Sequence, residues 1–300
     1  MARPFSCIEM ITENGYNDDF PFRCITQEEI VSDCDNRFLE RSLSSIRTMR
    51  IGSDYYKMNH QRRGIAVIFN HEVFDDYLNL NNHIGANDVK NLNTVLKELD
   101  FEVIVHHNFQ FHELKGRLIE MAKNDYSNDD CLLIIILTYG DNGFLYARDT
   151  LYRPETLWYN FTRNKCPSLA GKPKLFFIQA YKDDKHNIGT INEKICEIPV
   201  QQDFLILFST LPQNVFGRNS NNGSRFIEVL CKQLRTLATK TDILHILTLV
   251  SKKVAIAYDT NRRNDQFNYQ WKVPCVSSTL TRLLVFEKKN KKVSFPWTKK

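Results

Sequence analysis

The sequence predicts an α/β fold, with a mainly parallel six-stranded open sheet and helices on both faces. Continuous apolar runs of strand length recur along the chain, at 64–70, 131–137, 174–178 and 204–208, as strands covered on both faces require. Between the first of these runs lie segments with apolar residues at helical spacing, and such alternation builds parallel sheets through helical crossovers. Composition agrees: 300 residues, 25% charged and a net charge of +5 describe a globular chain able to bury a sizeable core.

The first 58 residues are polar and irregular, with short helical stretches near 27–30 and 38–40, and read as an N-terminal arm. The fold starts at Gly64. Residues 88–99 place Val89, Leu92, Val95, Leu96 and Leu99 on one helical face, and 101–105 follow as a strand. A second helix at 111–123 carries Leu114, Leu118, Ile119 and Ala122 ahead of the strongly apolar strand 131–137. A loop at 138–143, a short helical stretch at 154–160 and the strand from Lys174 toward Tyr181 complete a first half at 59–182.

Residues 183–200 are polar and read as a linker with no Asp-x-x-Asp site, so one uncut chain is expected. The second half, 201–288, brings the strand 204–208, a polar loop at 212–223, helices at 224–238 and 242–258, and a last strand at 280–286. A basic tail, 289–300, closes the chain and reads as a solvated terminus.

Several function classes drop out. No apolar run reaches the roughly 18–20 residues of a bilayer span, and the N-terminus lacks a signal-peptide core, so a cytoplasmic protein without membrane contact is expected. The charge is too small and too confined to the tail to predict nucleic-acid binding. Eight cysteines lie scattered with no C-x-x-C pair, which signals neither a zinc site nor a disulfide framework. No metal or cofactor is expected.

In open α/β sheets, sites form beyond the carboxyl ends of the strands. Tyr139-Gly140 and Gln179-Ala180-Tyr181 fall there. The runs Arg62-Arg63-Gly64-Ile65-Ala66-Val67-Ile68-Phe69-Asn70-His71-Glu72, Leu96-Lys97-Glu98-Leu99-Asp100-Phe101-Glu102-Val103, Leu175-Phe176-Phe177-Ile178-Gln179-Ala180, Phe208-Ser209-Thr210 and Pro274-Cys275 are similar to those of caspases. The chain resembles that family from about Lys57 to Phe286, and the resemblance implies the caspase-like fold.

It also implies a site. Where the family has a catalytic histidine and the cysteine of Gln-Ala-Cys, this sequence has Tyr139 and Tyr181. A phenol, with an ordinary pKa of about 10, replaces neither an imidazole base nor a thiolate. Gly140 keeps the family's oxyanion-hole position. Gln179 and Arg218 retain two of three groups that grip an aspartate side chain, and the third position falls at Asn82 or His83.

The resemblance therefore predicts a pseudoenzyme, a decoy or regulator of an active caspase paralogue in apoptosis. It would act as a heterodimer, or as a homodimer, through the last strand at Ser278, Leu280, Arg282, Leu283 and Val285. The alternative is residual cysteine peptidase activity, or such activity from a relocated thiol.

Overall fold

In the computed structural model the described residues are 53–80, 86–141, 143–181, 201–209, 224–260 and 273–289. The chain divides into two compact units, Met1–Gly52 and Ser53–Lys300, and every described residue belongs to the second. The helical stretches expected near 27–30 and 38–40, the linker 183–200 and the loop 212–223 lie outside the described residues.

Eight strands and four α-helices are found along the described chain: β1 (Ile65–Asn70), α1 (Ala86–Glu98), β2 (Glu102–His107), α2 (Phe111–Ala122), β3 (Leu132–Asp141), β4 (Phe144–Tyr146), β5 (Leu151–Tyr152), β6 (Lys174–Tyr181), β7 (Phe204–Phe208), α3 (Arg225–Leu237), α4 (Ile243–Thr260) and β8 (Cys275–Ser278). The main sheet has the order β2-β1-β3-β6-β7-β8, while β4 and β5 extend it from the end of β3. All neighbours from β2 to β7 run parallel, and β8 runs antiparallel to β7. The predicted six-stranded, mainly parallel sheet is what forms.

The strict alternation of a strand divides each apolar run between two cores. Ala66 and Ile68, with Leu133, Ile135 and Leu137, face the core shared with α1, α3 and α4. Ile65, Val67 and Phe69, with Leu132, Ile134 and Ile136, face the core shared with α2. Because both faces are covered, the runs need no polar residues, which is why they read as continuous. Helix starts are fixed locally. Gln110 and Glu113 form a capping box at α2, and Ser224 caps α3, its side chain accepting from the Ile227 N–H.

Two expectations at the strand ends need correction. Residues 138–141, read as loop, continue β3: Tyr139 pairs with Tyr181 of β6, and Gly140 pairs with Leu145 of β4. A hairpin too short for a periodicity signal thus prolongs the strand. The run 280–286, read as the last strand, is not one; β8 precedes it. Its backbone is claimed elsewhere. Leu283 donates to Asp54 O and accepts from Tyr56 N, Leu284 accepts from Ile243 N, and Phe286 donates to Ala238 O. Leu284 and Phe286 are buried in the core with the three helices, so the apolar content of this segment caps helix ends instead of building sheet.

The turn away from the sheet has a definite cause. Asp203 adopts a left-handed φ of 71° and forms a bulge opposite Thr279, donating its N–H to Thr279 O. The Asp203 carboxylate accepts from Tyr56 Oη at 2.6 Å and Thr281 Oγ1 at 2.7 Å, bonds that hold a non-glycine residue in that conformation. Tyr56 and Met58, assigned from sequence to the arm, are buried in the core. Lys289, read as part of a solvated tail, is held by the carbonyls of Met58 and His60 and by the buried Asp130.

Candidate functional site

The parallel pairing of β3 and β6 places Tyr139 and Tyr181 side by side at the carboxyl edge of the sheet. Their rings meet edge to face, with centroids 6.3 Å apart, and Tyr139 packs against Phe74 at 5.4 Å. A Cβ on Gly140 would lie 2.9 Å from Ala180 Cβ and 3.1 Å from Phe144 O. Glycine stands there because β6 and the β4 hairpin crowd in on it.

Tyr181 is buried, and its hydroxyl donates to Asp88 Oδ2 at 3.0 Å. Asp88 lies in the first turn of α1, where the helix N-terminus favours an anion. Its two oxygens also accept from the Ser224 N–H, at 2.8 and 3.0 Å. Ser224 Oγ in turn donates to Gln179 Oε1 at 2.9 Å, and Gln179 Nε2 donates to Ala180 O at 3.4 Å. One hydrogen-bonded network therefore joins the end of β6 to the starts of α1 and α3.

Of the residues singled out from sequence, Tyr139, Gly140, Gln179 and Tyr181 come together here. Asn82, His83 and Arg218 lie outside the described residues. Asp88 and Ser224 were not singled out. Both carry ordinary helix-start signals, an acid in the first turn and a serine cap, and only the fold makes the two starts converge on β6. Of the residues assigned to an interface, Ser278 lies on β8, whereas Leu280, Arg282, Leu283 and Val285 follow it on the helix-capping segment. Arg282 sits over the Tyr56 ring, 5.8 Å from its centroid.

The site's surroundings match a known family. The model of the caspase domain of C14 peptidases covers residues 63–285. The chain belongs to the caspase family. Among its relatives, caspase-1 of Spodoptera frugiperda is 48% identical over 246 residues, covering 78% of this chain and 82% of that protein. Caspase drICE of Drosophila melanogaster is 39% identical over 247 residues, covering 78% of this chain and 73% of that protein. The crystal structure of caspase-1 from Spodoptera frugiperda superposes with a TM-score of 0.71 at 47% identity, covering 81% of this chain and 96% of that one.

These relatives overturn the expectation that this caspase-family chain is a pseudoenzyme. The domain it carries is a peptidase domain, and the proteins it matches over most of their length bear the caspase name. What Tyr139 and Tyr181 establish is local: phenols, not an imidazole and a thiol, stand at these two strand ends.

A relocated thiol finds little support among the described residues. Burial pushes the thiols of Cys131, Cys166 and Cys275 above their ordinary value and that of Cys231 up to about 12, the reverse of what a nucleophile needs. Cys7, Cys24, Cys34 and Cys196 lie outside the described residues. The imidazole of His71, just past β1, is buried with Nε2 3.1 Å from Phe109 O, and burial lowers its pKa to about 4. At neutral pH it is uncharged. Among the described residues no helix is long and apolar enough to cross a membrane.

Proposed function

We propose that this caspase-family protein regulates a second, active caspase in apoptosis, pairing with it as a heterodimer along β8. The observation that carries the reading is the open edge of β8. It ends the sheet, and among the described residues no strand lies beyond it. It bears no charge on Cys275–Ser278 and exposes Val276. The opposite edge, β2, carries Glu102, His106 and His107, the kind of residues that guard an edge against pairing. The protein works as one uncut chain, its halves 59–182 and 201–288 joined through 183–200, a linker without an Asp-x-x-Asp site.

Pairing along β8 acts by shifting the population of the partner's site conformations, so it either raises or lowers the partner's rate. The test is the peptide-cleavage rate of an active caspase of the same organism, measured with the chain, without it, and with the edge variant Val276→Lys. The chain's own cleavage rate serves as the baseline.

A further inference from the structure

We infer that Tyr159 is a surface nucleophile of this chain, whose hydroxyl oxygen accepts a group from tetrahedral sulfur or phosphorus electrophiles with the ammonium of Lys165 beside it. The inference is independent of the pairing proposed for β8. Tyr159 opens a short 3-10 helix, Tyr159–Phe161, on the connection between β5 and β6. Its neighbours anchor that helix, because Trp158 and Phe161 are buried in the core shared with α2. Tyr159 lies between them and is 63% exposed, so the core does not hold its ring.

The chain then folds a cation back onto that ring. Lys165 N and Cys166 N both donate to Thr162 O, at 3.0 and 2.9 Å, closing a turn whose far end is fixed by the buried Cys166. The turn sets Lys165 Nζ 2.9 Å from the centroid of the Tyr159 ring. A cation this close favours the phenolate over the phenol. The hydrogen bond from Lys165 and its charge accordingly hold the Tyr159 hydroxyl below its ordinary pKa.

Tyr77 supplies the contrast within the same chain. It is 69% exposed, yet its hydroxyl donates to Asp149 O. Partial desolvation, with the charges of Asp75 and Asp149, holds the Tyr77 proton more tightly than usual. Exposure is thus alike in the two residues and electrostatics opposite. Tyr56, Tyr126 and Tyr152 are buried, and burial raises their hydroxyls.

Lys165 serves both ends of a group transfer. Before it, phenolate character makes the Tyr159 oxygen the nucleophile. With an aryl sulfonyl fluoride the Oη–S bond forms, the S–F bond breaks, fluoride leaves and the phenol proton passes to water, with nothing oxidised or reduced. With a sulfuryl or phosphoryl group the product is an anion, which Lys165 is placed to pair.

Benzenesulfonyl fluoride is the probe, added in limiting amount at about pH 7.5, where an ordinary phenol is almost wholly protonated. Peptide mass spectrometry reads the initial labelling of each tyrosine in the full chain and in Lys165→Gln, Lys165→Arg and Tyr159→Phe, the last giving the background of its peptide. The expected result is Tyr159 labelled about ten-fold faster than Tyr77 in the wild type, with a fall of about five-fold in Lys165→Gln. Lys165→Arg, which restores the charge, recovers most of the rate. Tyr77, read in the same samples, stays constant and shows that each variant keeps its fold. Tyr159 labelled no faster than Tyr77, or the label found on Lys165 instead, overturns the site. Equal labelling of Tyr159 in the wild type and Lys165→Gln overturns it too, since exposure alone would then account for the rate.

Discussion

Tyr181 is where local chemistry and fold meet most closely. Its hydroxyl gives a buried carboxylate, Asp88, a charge-assisted hydrogen bond, while the Ser224 N–H supplies the others. Tyr181→Phe removes one donor and leaves Asp88 still bonded, so it is expected to destabilise the chain by about 1–2 kcal/mol. Asp88→Ala removes the carboxylate that accepts from both the phenol and the cap N–H and is expected to cost about twice as much. Guanidinium unfolding of the two variants checks the ranking, and equal losses would show that the network is not shared. The position of Tyr181 was legible because an apolar strand leads straight to it. Its partner was not, since Asp88 lies 93 residues away along the chain.

His71 links the same region to pH. Burial lowers its imidazole from 6.5 to about 4 in the folded chain. Between those values the unfolded chain binds a proton that the folded chain does not. Stability is therefore lost as pH falls from about 7 toward 4, by up to roughly 3 kcal/mol from this group, and is unaffected by it above that range. Burial, with Arg117 nearby, pushes His106 down to about 4 as well, adding in the same direction. Denaturant midpoints at about pH 7.5 and pH 5 should separate more widely for the wild type than for His71→Gln. An unchanged separation would remove His71 as a cause.

At the scale of elements, the sequence was most informative where burial is two-sided. The apolar runs of β1, β3, β6 and β7 could be read in one pass, because an element buried on both faces has no choice but to be apolar. It misled at 280–286, where an equally apolar run serves helix ends. Leu284 shows the difference: it is fully buried, its N–H donates to Asp242 Oδ1 at 2.7 Å, and its carbonyl holds the start of α4. Leu284→Ala is expected to cost about 2–5 kcal/mol in thermal or denaturant unfolding, whereas Val276→Lys on the exposed edge should stay within about 0.5 kcal/mol of wild type. A costly Val276→Lys would mean that β8 is not a free edge. Sequence could not separate these two segments, because an apolar residue looks the same whether a helix end or a neighbouring strand covers it.

For the whole molecule, the proposed action on a partner rests on family membership and on an uncharged sheet edge, β8, beyond which no strand lies among the described residues. The α/β class and the mainly parallel sheet followed from alternation, and the rule that sites sit at strand ends is what drew attention to Tyr139 and Tyr181, which the fold places side by side. The assignment of the last strand, and with it the residues of the pairing edge, needed the bulge at Asp203, which no periodicity reveals. The most direct test is the cleavage rate of an active caspase of the same organism, titrated with this chain and, separately, with Val276→Lys. A saturating change in rate that the variant abolishes is the result this account predicts. No change at any concentration, or the same change with the variant, would contradict pairing through β8.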